Sequence, residues 1–401
     1  MIVTQTSAPV RAWLGAGAAL AAVGWGANQF APLIVLYSTH LGLSPAALDA
    51  MFGLYAVGLV PALLAGGRLS DRIGRRRVVL PALLASLVAT CLLMAGGRHP
   101  ELLFTGRFLA GVASGLAFGT GAAWLKELSA ESGDASAGPR RSTIAMTTGF
   151  AGGPLVAGLC AQWLPSPTVT AYVGHLVVLT IATAAVWRTP DPARTGAKPV
   201  AAAPGARGLR RHFLLVVLPF APWVFGTAAI GLAYLPALVV DRVGGQALMF
   251  SAFVTGVPAI AGIAAQPLAR AFLRRPRGVR LLPASMALVL LGIGCAAWAA
   301  HARSPLMVVL ASLVLGVTYG VTQFAGLAEV QHIADPRSLG TATATYQVVS
   351  YLGFALPFLL ALAENHLHRS PSSLLLAVLG LAAVATAWLA AVTAQQRRQA
   401  R

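Results

Sequence analysis

Most of the side chains able to do chemistry are packed into one stretch, Gly67-Arg68-Leu69-Ser70-Asp71-Arg72-Ile73-Gly74-Arg75-Arg76-Arg77. Five arginines surround a single carboxylate, with long apolar sequence on either side. Charge that dense cannot lie in hydrocarbon, and the stretch is too short to fold alone. It therefore reads as a tight turn at a membrane surface, joining two spanning helices. Asp71 stands beside Arg72 and four residues before Arg75. A carboxylate there can face a helix N-terminus, where free N–H groups and the macrodipole favour negative charge. Gly67 suits a close approach of backbones, and Gly74 suits a turn with positive φ.

Other candidates are sparse. Arg107 lies several residues inside an apolar segment, where a cation is costly unless paired or facing water. It either snorkels to the outer head groups or lines a cavity and acts on substrate or proton binding. A proton-coupling residue must be ionisable, and no acid falls in the middle of an apolar segment. Glu127, Asp49 and Glu329 stand near segment ends, and His175 lies slightly deeper and can titrate near neutrality. Polar residues at mid-depth are Asn28, Gln29, Tyr55, Tyr234, Tyr319, Gln323, Tyr346, Gln347 and Tyr351. Cys91, Cys160 and Cys295 are far apart in apolar sequence and read as small buried side chains. There is no metal-ligand spacing, no activated nucleophile and no phosphate loop, so neither a cofactor nor an enzyme is expected.

These residues need apolar helices to hold them. The 401 residues are 57% hydrophobic and 10% charged, with mean hydropathy +0.75. Soluble domains carry about 25% charged residues, so this chain has too little polar surface to cover itself in water. Twelve apolar runs are each close to the ~20 residues that cross a bilayer core: 12–38, 46–66, 78–97, 102–125, 143–163, 171–187, 213–239, 247–268, 281–300, 305–330, 341–362 and 373–394. The net charge of +18 would suggest nucleic acid in a soluble protein. Here 24 of the 29 Lys and Arg fall on one side of the membrane if both termini are cytoplasmic. That is the positive-inside pattern; the clusters meet anionic lipid head groups, and nucleic acid is not an expected partner. No cleavable signal precedes the first run, which stays as an anchor. Arg outnumbers Lys 27 to 2, which suggests a bacterium with a GC-rich genome and hence the cytoplasmic membrane.

Residues 188–212 are rich in Pro, Gly and Ala with scattered cations, the composition of a flexible linker. The linker divides the chain into 1–187 and 213–401, six runs each. The halves echo one another. Leu80-Pro81-Ala82 matches Leu282-Pro283-Ala284, and Glu127 matches Glu329, both 202 residues apart. Gly149-Phe150-Ala151 with Pro154 matches Gly353-Phe354-Ala355 with Pro357. At that offset Arg107 has no charged counterpart, since position 309 is Val. The basic turn recurs as Leu268-Ala269-Arg270 and Arg274-Arg275-Pro276-Arg277, without the aspartate. Duplicated halves are a hallmark of secondary transporters.

Gly67-x-Leu69-Ser70-Asp71-Arg72-x-Gly74-Arg75-Arg76 resembles the signature between spans 2 and 3 of the major facilitator superfamily. Arg107-x-x-x-Gly111-x-x-x-Gly115 is similar to the family's second motif. Gly149-x-x-x-Gly153-Pro154-x-x-Ala157-Gly158 is similar to a motif of its antiporters, with departures at Arg140 and Ala157 where glycines are expected. The resemblance implies an all-α membrane protein, with twelve transmembrane helices in two pseudo-symmetric six-helix bundles. It implies that Asp71 faces the start of span 11 near Ser338-Leu339-Gly340-Thr341, that Arg75 pairs with Glu127, and that the cluster gates the cytoplasmic side. Spans 1, 4, 7 and 10 then line the cavity, making Asn28, Gln29, Arg107, Tyr234, Tyr319 and Gln323 candidate substrate contacts, to which Gln347 of span 11 is added. The mainly apolar remainder suggests a hydrophobic, neutral or weakly charged cargo. The expected function is proton-coupled efflux of such a compound; the alternative is an importer or facilitator of a small polar nutrient. If Arg107 lines the cavity, Arg107→Ala abolishes transport in liposomes while membrane insertion is intact. Wild-type flux in that variant contradicts the cavity reading.

Overall fold

The computed structural model describes residues 12–129, 137–191, 210–273, 281–333 and 339–399. Every regular element among them is helical, as hydrocarbon requires of backbone that must bond within its own segment. Twelve helices are long and apolar enough to cross a membrane. They are span 1 (Trp13–His40), span 2 (Ala50–Ile73), span 3 (Arg76–Ala95), span 4 (Glu101–Ser129), span 5 (Arg140–Trp163) and span 6 (Pro167–Trp187). The second set is span 7 (Arg210–Ala237), span 8 (Gly244–Ala265), span 9 (Leu282–Ala302), span 10 (Pro305–Val330), span 11 (Thr345–Leu367) and span 12 (Pro371–Gln395). Spans 1 to 6 pack among themselves, as do spans 7 to 12. The two groups meet where span 5 packs on span 8 and span 2 on span 11.

Three spans are interrupted, each by proline. Span 1 is helical over Trp13–Asn28 and again over Leu33–His40. Pro32 has no N–H for the Asn28 carbonyl, which accepts from the Ala31 amide at 3.0 Å instead. Span 7 widens into π-turns over Phe213–Val217 and Ile230–Tyr234, two residues before Pro219 and Pro236 respectively. Span 11 narrows to a 3-10 turn over Leu352–Ala355, where Pro357 cannot donate to the Gly353 carbonyl. Span 5 is assigned as one helix through Pro154.

The duplication is visible in how helices touch. A Cβ on Gly149 would run into the Ala21 carbonyl and the Trp25 amide of span 1. A Cβ on Gly353 would run into the Pro222 carbonyl and the Gly226 amide of span 7. The crossing of spans 4 and 2 repeats likewise. Gly111 and Gly115 sit on the Tyr55 and Leu59 carbonyls, and Gly316 and Gly320 sit on the Pro258 and Gly262 carbonyls. These glycines lie 205 residues apart, so the offset of 202 read from the sequence does not hold along span 4. In lipid, apolar helices gain nothing by hiding from water, so near-contact of backbones supplies the packing.

Several expectations change. The basic stretch is largely helical: span 2 continues through Ile73, and only Gly74 and Arg75 separate it from span 3. No atom lies within 4 Å of where a Gly67 side chain would start, so no close approach occurs there. Cys91 is exposed, with Cys160 and Cys295 half-buried. Large apolar side chains such as Ile181, Trp298 and Val384 are exposed in the same way. Hydrocarbon is the solvent at this perimeter, so apolar groups need no protein cover. Most of the linker, the second basic run from Arg274, and Ser338 lie outside the described residues, as do the side chains of Leu339, Gly340 and Thr341.

Gly149→Val and Gly353→Val are expected to destabilise the protein by about 1–3 kcal/mol each through overpacking. Gly67→Ala is expected to stay within about 0.5 kcal/mol. Thermal unfolding in detergent checks this; indifference to both valines refutes the packing account.

Candidate functional site

The basic turn is organised around Arg75. Its Nε donates to both Glu127 carboxylate oxygens, at 3.2 and 3.3 Å, and its Nη2 reaches Glu127 Oε1 at 2.7 Å. Its Nη1 donates to Asp71 Oδ1 at 2.5 Å and to Ser70 Oγ at 2.6 Å. Partial burial alone would disfavour the charge, but the Glu127 and Asp71 carboxylates outweigh it and hold Arg75 more firmly protonated than a free arginine. The expected Arg75–Glu127 pair is thus present and ties the turn to the end of span 4. Arg72 is exposed, with no hydrogen bond or ion pair among the described residues. Asp71 is directed to Arg75; the described residues do not extend to the side chains at the start of the helix it was expected to face.

Asp191, just past span 6, was not singled out from the sequence. Its carboxylate accepts from the backbone N–H groups of Arg75 at 3.1 Å and Arg76 at 3.3 Å, capping span 3 from 116 residues away. Gly74 has φ +103°, and a Cβ there would come within 2.7 Å of Asp191 Oδ2. Glycine is therefore required both by the backbone and by the capping carboxylate. The same segment is held by Arg76 Nη1 on the Trp187 carbonyl at 3.2 Å and by Trp124 Nε1 on the Pro190 carbonyl at 3.1 Å. The turn thus binds spans 2, 3 and 4 and the exit of span 6 into one unit.

Arg107 is 1% exposed, so it does not snorkel. Its guanidinium lies over Tyr55 at 4.5 Å, Phe30 at 4.6 Å and Phe52 at 5.4 Å. Nη1 donates to the Ala27 carbonyl at 3.3 Å and Nε to the Met51 carbonyl at 3.4 Å. Ala27 lies in the last turn of the first helix of span 1, where carbonyls carry partial negative charge. Beside it the Tyr37 and Tyr172 hydroxyls bond each other at 2.6 Å, and the Tyr37 ring packs on Phe30 at 5.4 Å. No carboxylate pairs with Arg107 among the described residues. Asp49, two residues before Met51, has its side chain outside that set.

Gln29 is fully buried and donates through Nε2 to His175 Nδ1 at 3.0 Å. The ring's hydrogen is then on Nε2, which donates to the Ala22 carbonyl at 2.9 Å. Thr90 Oγ1 is 2.8 Å from Nδ1, so His175 joins spans 1, 3 and 6. Asn28 is half-buried, with no side-chain partner among the described residues. In the second half Gln323 Nε2 is 3.5 Å from Gln347 Oε1, and the Tyr346 hydroxyl lies 3.4 Å from Gln323 Oε1.

A column of rings crosses the junction of the halves. Phe118 of span 4 stacks on Tyr351 of span 11 at 6.2 Å. Tyr351 stacks on Phe225 at 4.5 Å, and Phe225 touches Phe354 at 4.8 Å and Tyr319 at 5.4 Å. Among the described residues the buried atoms Trp25 Nε1, Gln29 Oε1, Tyr234 Oη and Tyr351 Oη have no hydrogen-bond partner; of these residues Tyr351 belongs to the column. Each such orphan costs about 1–3 kcal/mol. Phe30, Phe52, Phe118 and Phe225 were missed because an aromatic in an apolar helix carries no local mark of function.

Of the acids, Glu127 is committed to Arg75, and Glu329 lies 2.9 Å from His212 Nε2. On span 5, Gly149 and Gly153 press on span 1 at Ala21 and Trp25, while Gly158 presses on Ala252 of span 8. Pro154 lies between them. Removing the cap with Asp191→Ala is expected to cost about 1 kcal/mol of stability, with Asp191→Asn milder. A melting temperature unchanged by Asp191→Ala would show that the cap is idle.

Similarity to known proteins agrees with this geometry. The Major Facilitator Superfamily model matches residues 14–358. The nucleoside transporter NupG, solved as a mutant, superposes with TM-score 0.70 at 14% identity, over 94% of this chain and 98% of its own. The POT family transporter PepTSo superposes with TM-score 0.71 at 13% identity, over 97% of this chain and 99% of its own. Among curated proteins none matches the chain in sequence. A match over most of its length, on twelve spanning helices, makes this chain a member of the Major Facilitator Superfamily, a multi-pass membrane transporter.

Proposed function

We propose that this transporter is a proton-coupled exporter of a small, largely apolar organic compound, working by alternating access across a bacterial cytoplasmic membrane with both termini inside. The moving bodies are residues 1–187 and 213–401, joined by the 188–212 linker. The observation that carries the reading is the ring column where the halves meet, which carries the buried Tyr351 hydroxyl, unpartnered among the described residues. A site between two bodies that rock against each other opens to one side at a time. The glycine series Gly149, Gly153 and Gly158 supports export: it gives span 5 a smooth face on span 1 and on span 8 of the other half. The Arg75 cluster makes the first half's inner end rigid, and Asp71 remains our candidate for reaching span 11 when that end closes. Glu127, Asp49 and Glu329 remain candidates for carrying the proton, and Glu329 lies 2.9 Å from His212 Nε2.

A second reading, import of a small polar nutrient, is favoured by the Gln323, Gln347 and Tyr346 cluster. Expression in a pump-deficient bacterial host, scored on a panel of growth inhibitors, separates the two. Export predicts protection that is lost on collapsing the proton gradient and in Asp71→Ala. Sensitisation of the host by the wild-type chain would overturn export and favour uptake.

A further inference from the structure

Span 5 of the first half and span 8 of the second meet at points without side chains. A Cβ on Gly158 would strike the Ala252 side chain, and a Cβ on Gly256 would strike the Leu155 side chain. Beside these contacts runs a groove of about 430 Å³, lined by Leu155 and Leu159 of span 5 and by Met249, Phe250, Ala252 and Phe253 of span 8. Of its lining residues Gln246, in the turn that leads into span 8, is the one polar side chain. Leu155 and Ala252 each press on a glycine of the facing span, so the groove is closed at its base. One end is bridged as well. Gln162, three residues beyond Leu159, donates through Nε2 to the carbonyl of Gly245, the neighbour of Gln246, at 3.1 Å. Leu159 and Phe253 are exposed at the rim, so the groove opens sideways onto the apolar perimeter.

That position decides what can fill it. Trp163 is exposed at the end of span 5, and tryptophan in such a place marks the membrane–water boundary. Leu159 and Leu155 lie roughly 6 and 12 Å further in at 1.5 Å per residue, which is hydrocarbon depth. Span 5 starts where Arg141 Nη1 bonds Ser129 Oγ at the end of span 4 held by Arg75, so the groove lies in the leaflet opposite the basic turn. Water finds no partners on such a lining, and an apolar void stays dry. Left empty, the walls would lack partner atoms and forfeit their dispersion energy. A long alkyl chain answers both conditions: it is thin and flexible, has no polar group to satisfy, and is the solvent on that side. Ile260, seven residues after Phe253 and exposed on the same face of span 8, continues the apolar track towards the bilayer centre.

We propose that this groove is a binding site for one acyl chain of a membrane phospholipid, which lies along the seam and touches both halves of the transporter at once. The test places the full-length protein in nanodiscs of phosphatidylethanolamine and phosphatidylglycerol, doped with a phosphatidylethanolamine that carries a diazirine midway along one acyl chain. After illumination, the labelled residues are mapped by peptide mass spectrometry. Labelling of Leu155, Leu159, Met249 and Phe253 is expected to exceed that of the exposed perimeter residues Ile181 and Val384 by about tenfold, because a seated chain stays while a boundary chain exchanges. Leu159→Trp, which fills the groove from its rim, should bring the labelling of Met249 and Phe253 down to the perimeter level. Leu381→Trp, an exposed position on span 12, should leave it unchanged. If Leu159→Trp does not fold, the wild-type map decides alone. Labelling of the groove no greater than that of the perimeter, or undiminished labelling in a folded Leu159→Trp, overturns the proposal. Neither cargo nor direction of transport enters this measurement, so the lipid site and the exporter reading stand or fall separately.

Discussion

The structure depends on bare backbone meeting bare backbone. Lipid offers helices no hydrophobic reason to associate, so contact must come from van der Waals packing at points without side chains. Gly149 on Ala21 and Trp25, and Gly353 on Pro222 and Gly226, are two copies of one such joint. Gly111 and Gly115 on span 2, with Gly316 and Gly320 on span 8, are two copies of another. With these joints fixed, spans 1, 4, 7 and 10 come close enough for Arg107 and Ser312 to bond carbonyls on a neighbouring span.

On this repeated scaffold the departures from symmetry carry the interest. The first half carries the Arg75 hub, with Glu127 and Asp71 as acceptors and Asp191 capping the helix that follows. Four elements of that half are clasped at one end, consistent with a body that moves as a unit. Among the described residues the first half buries the cation Arg107 within span 4, and the residue 205 positions on in span 10 is Ser312. An ancestral duplication would have made the two places alike, and the charge now distinguishes them.

Much of this was legible in the sequence, for identifiable reasons. Hydropathy over ~20-residue windows reveals the spans, because the bilayer allows little else. The Gly74 turn follows from a residue type suited to positive φ, and the Arg75–Glu127 pair from the resemblance of the basic stretch to the family signature. Asp191 was not legible: a cap supplied from 116 residues away leaves no local pattern. The partner of Arg107 was misplaced at Val309, because the offset that fits Glu127 and Glu329 shifts within span 4 and only backbone contacts reveal 205. Gln29 appeared as a candidate cavity residue, but its bond to His175 needed spans 1 and 6 side by side. The ring column was invisible because Phe in an apolar helix looks the same whether it faces lipid or the junction.

The central claim is that two internally rigid six-helix bodies, held by duplicated glycine joints, rock against each other about the ring column. The most direct test is the distribution of distances between spin-label pairs on the full-length protein in nanodiscs. One pair, at Arg68 and Lys126, lies within the first half; the other, at Arg68 and Arg211, spans the two halves, and all three positions are exposed. The account predicts one narrow distance for the first pair and two separated populations for the second. A single narrow distance for both, or splitting within the first half, would contradict it.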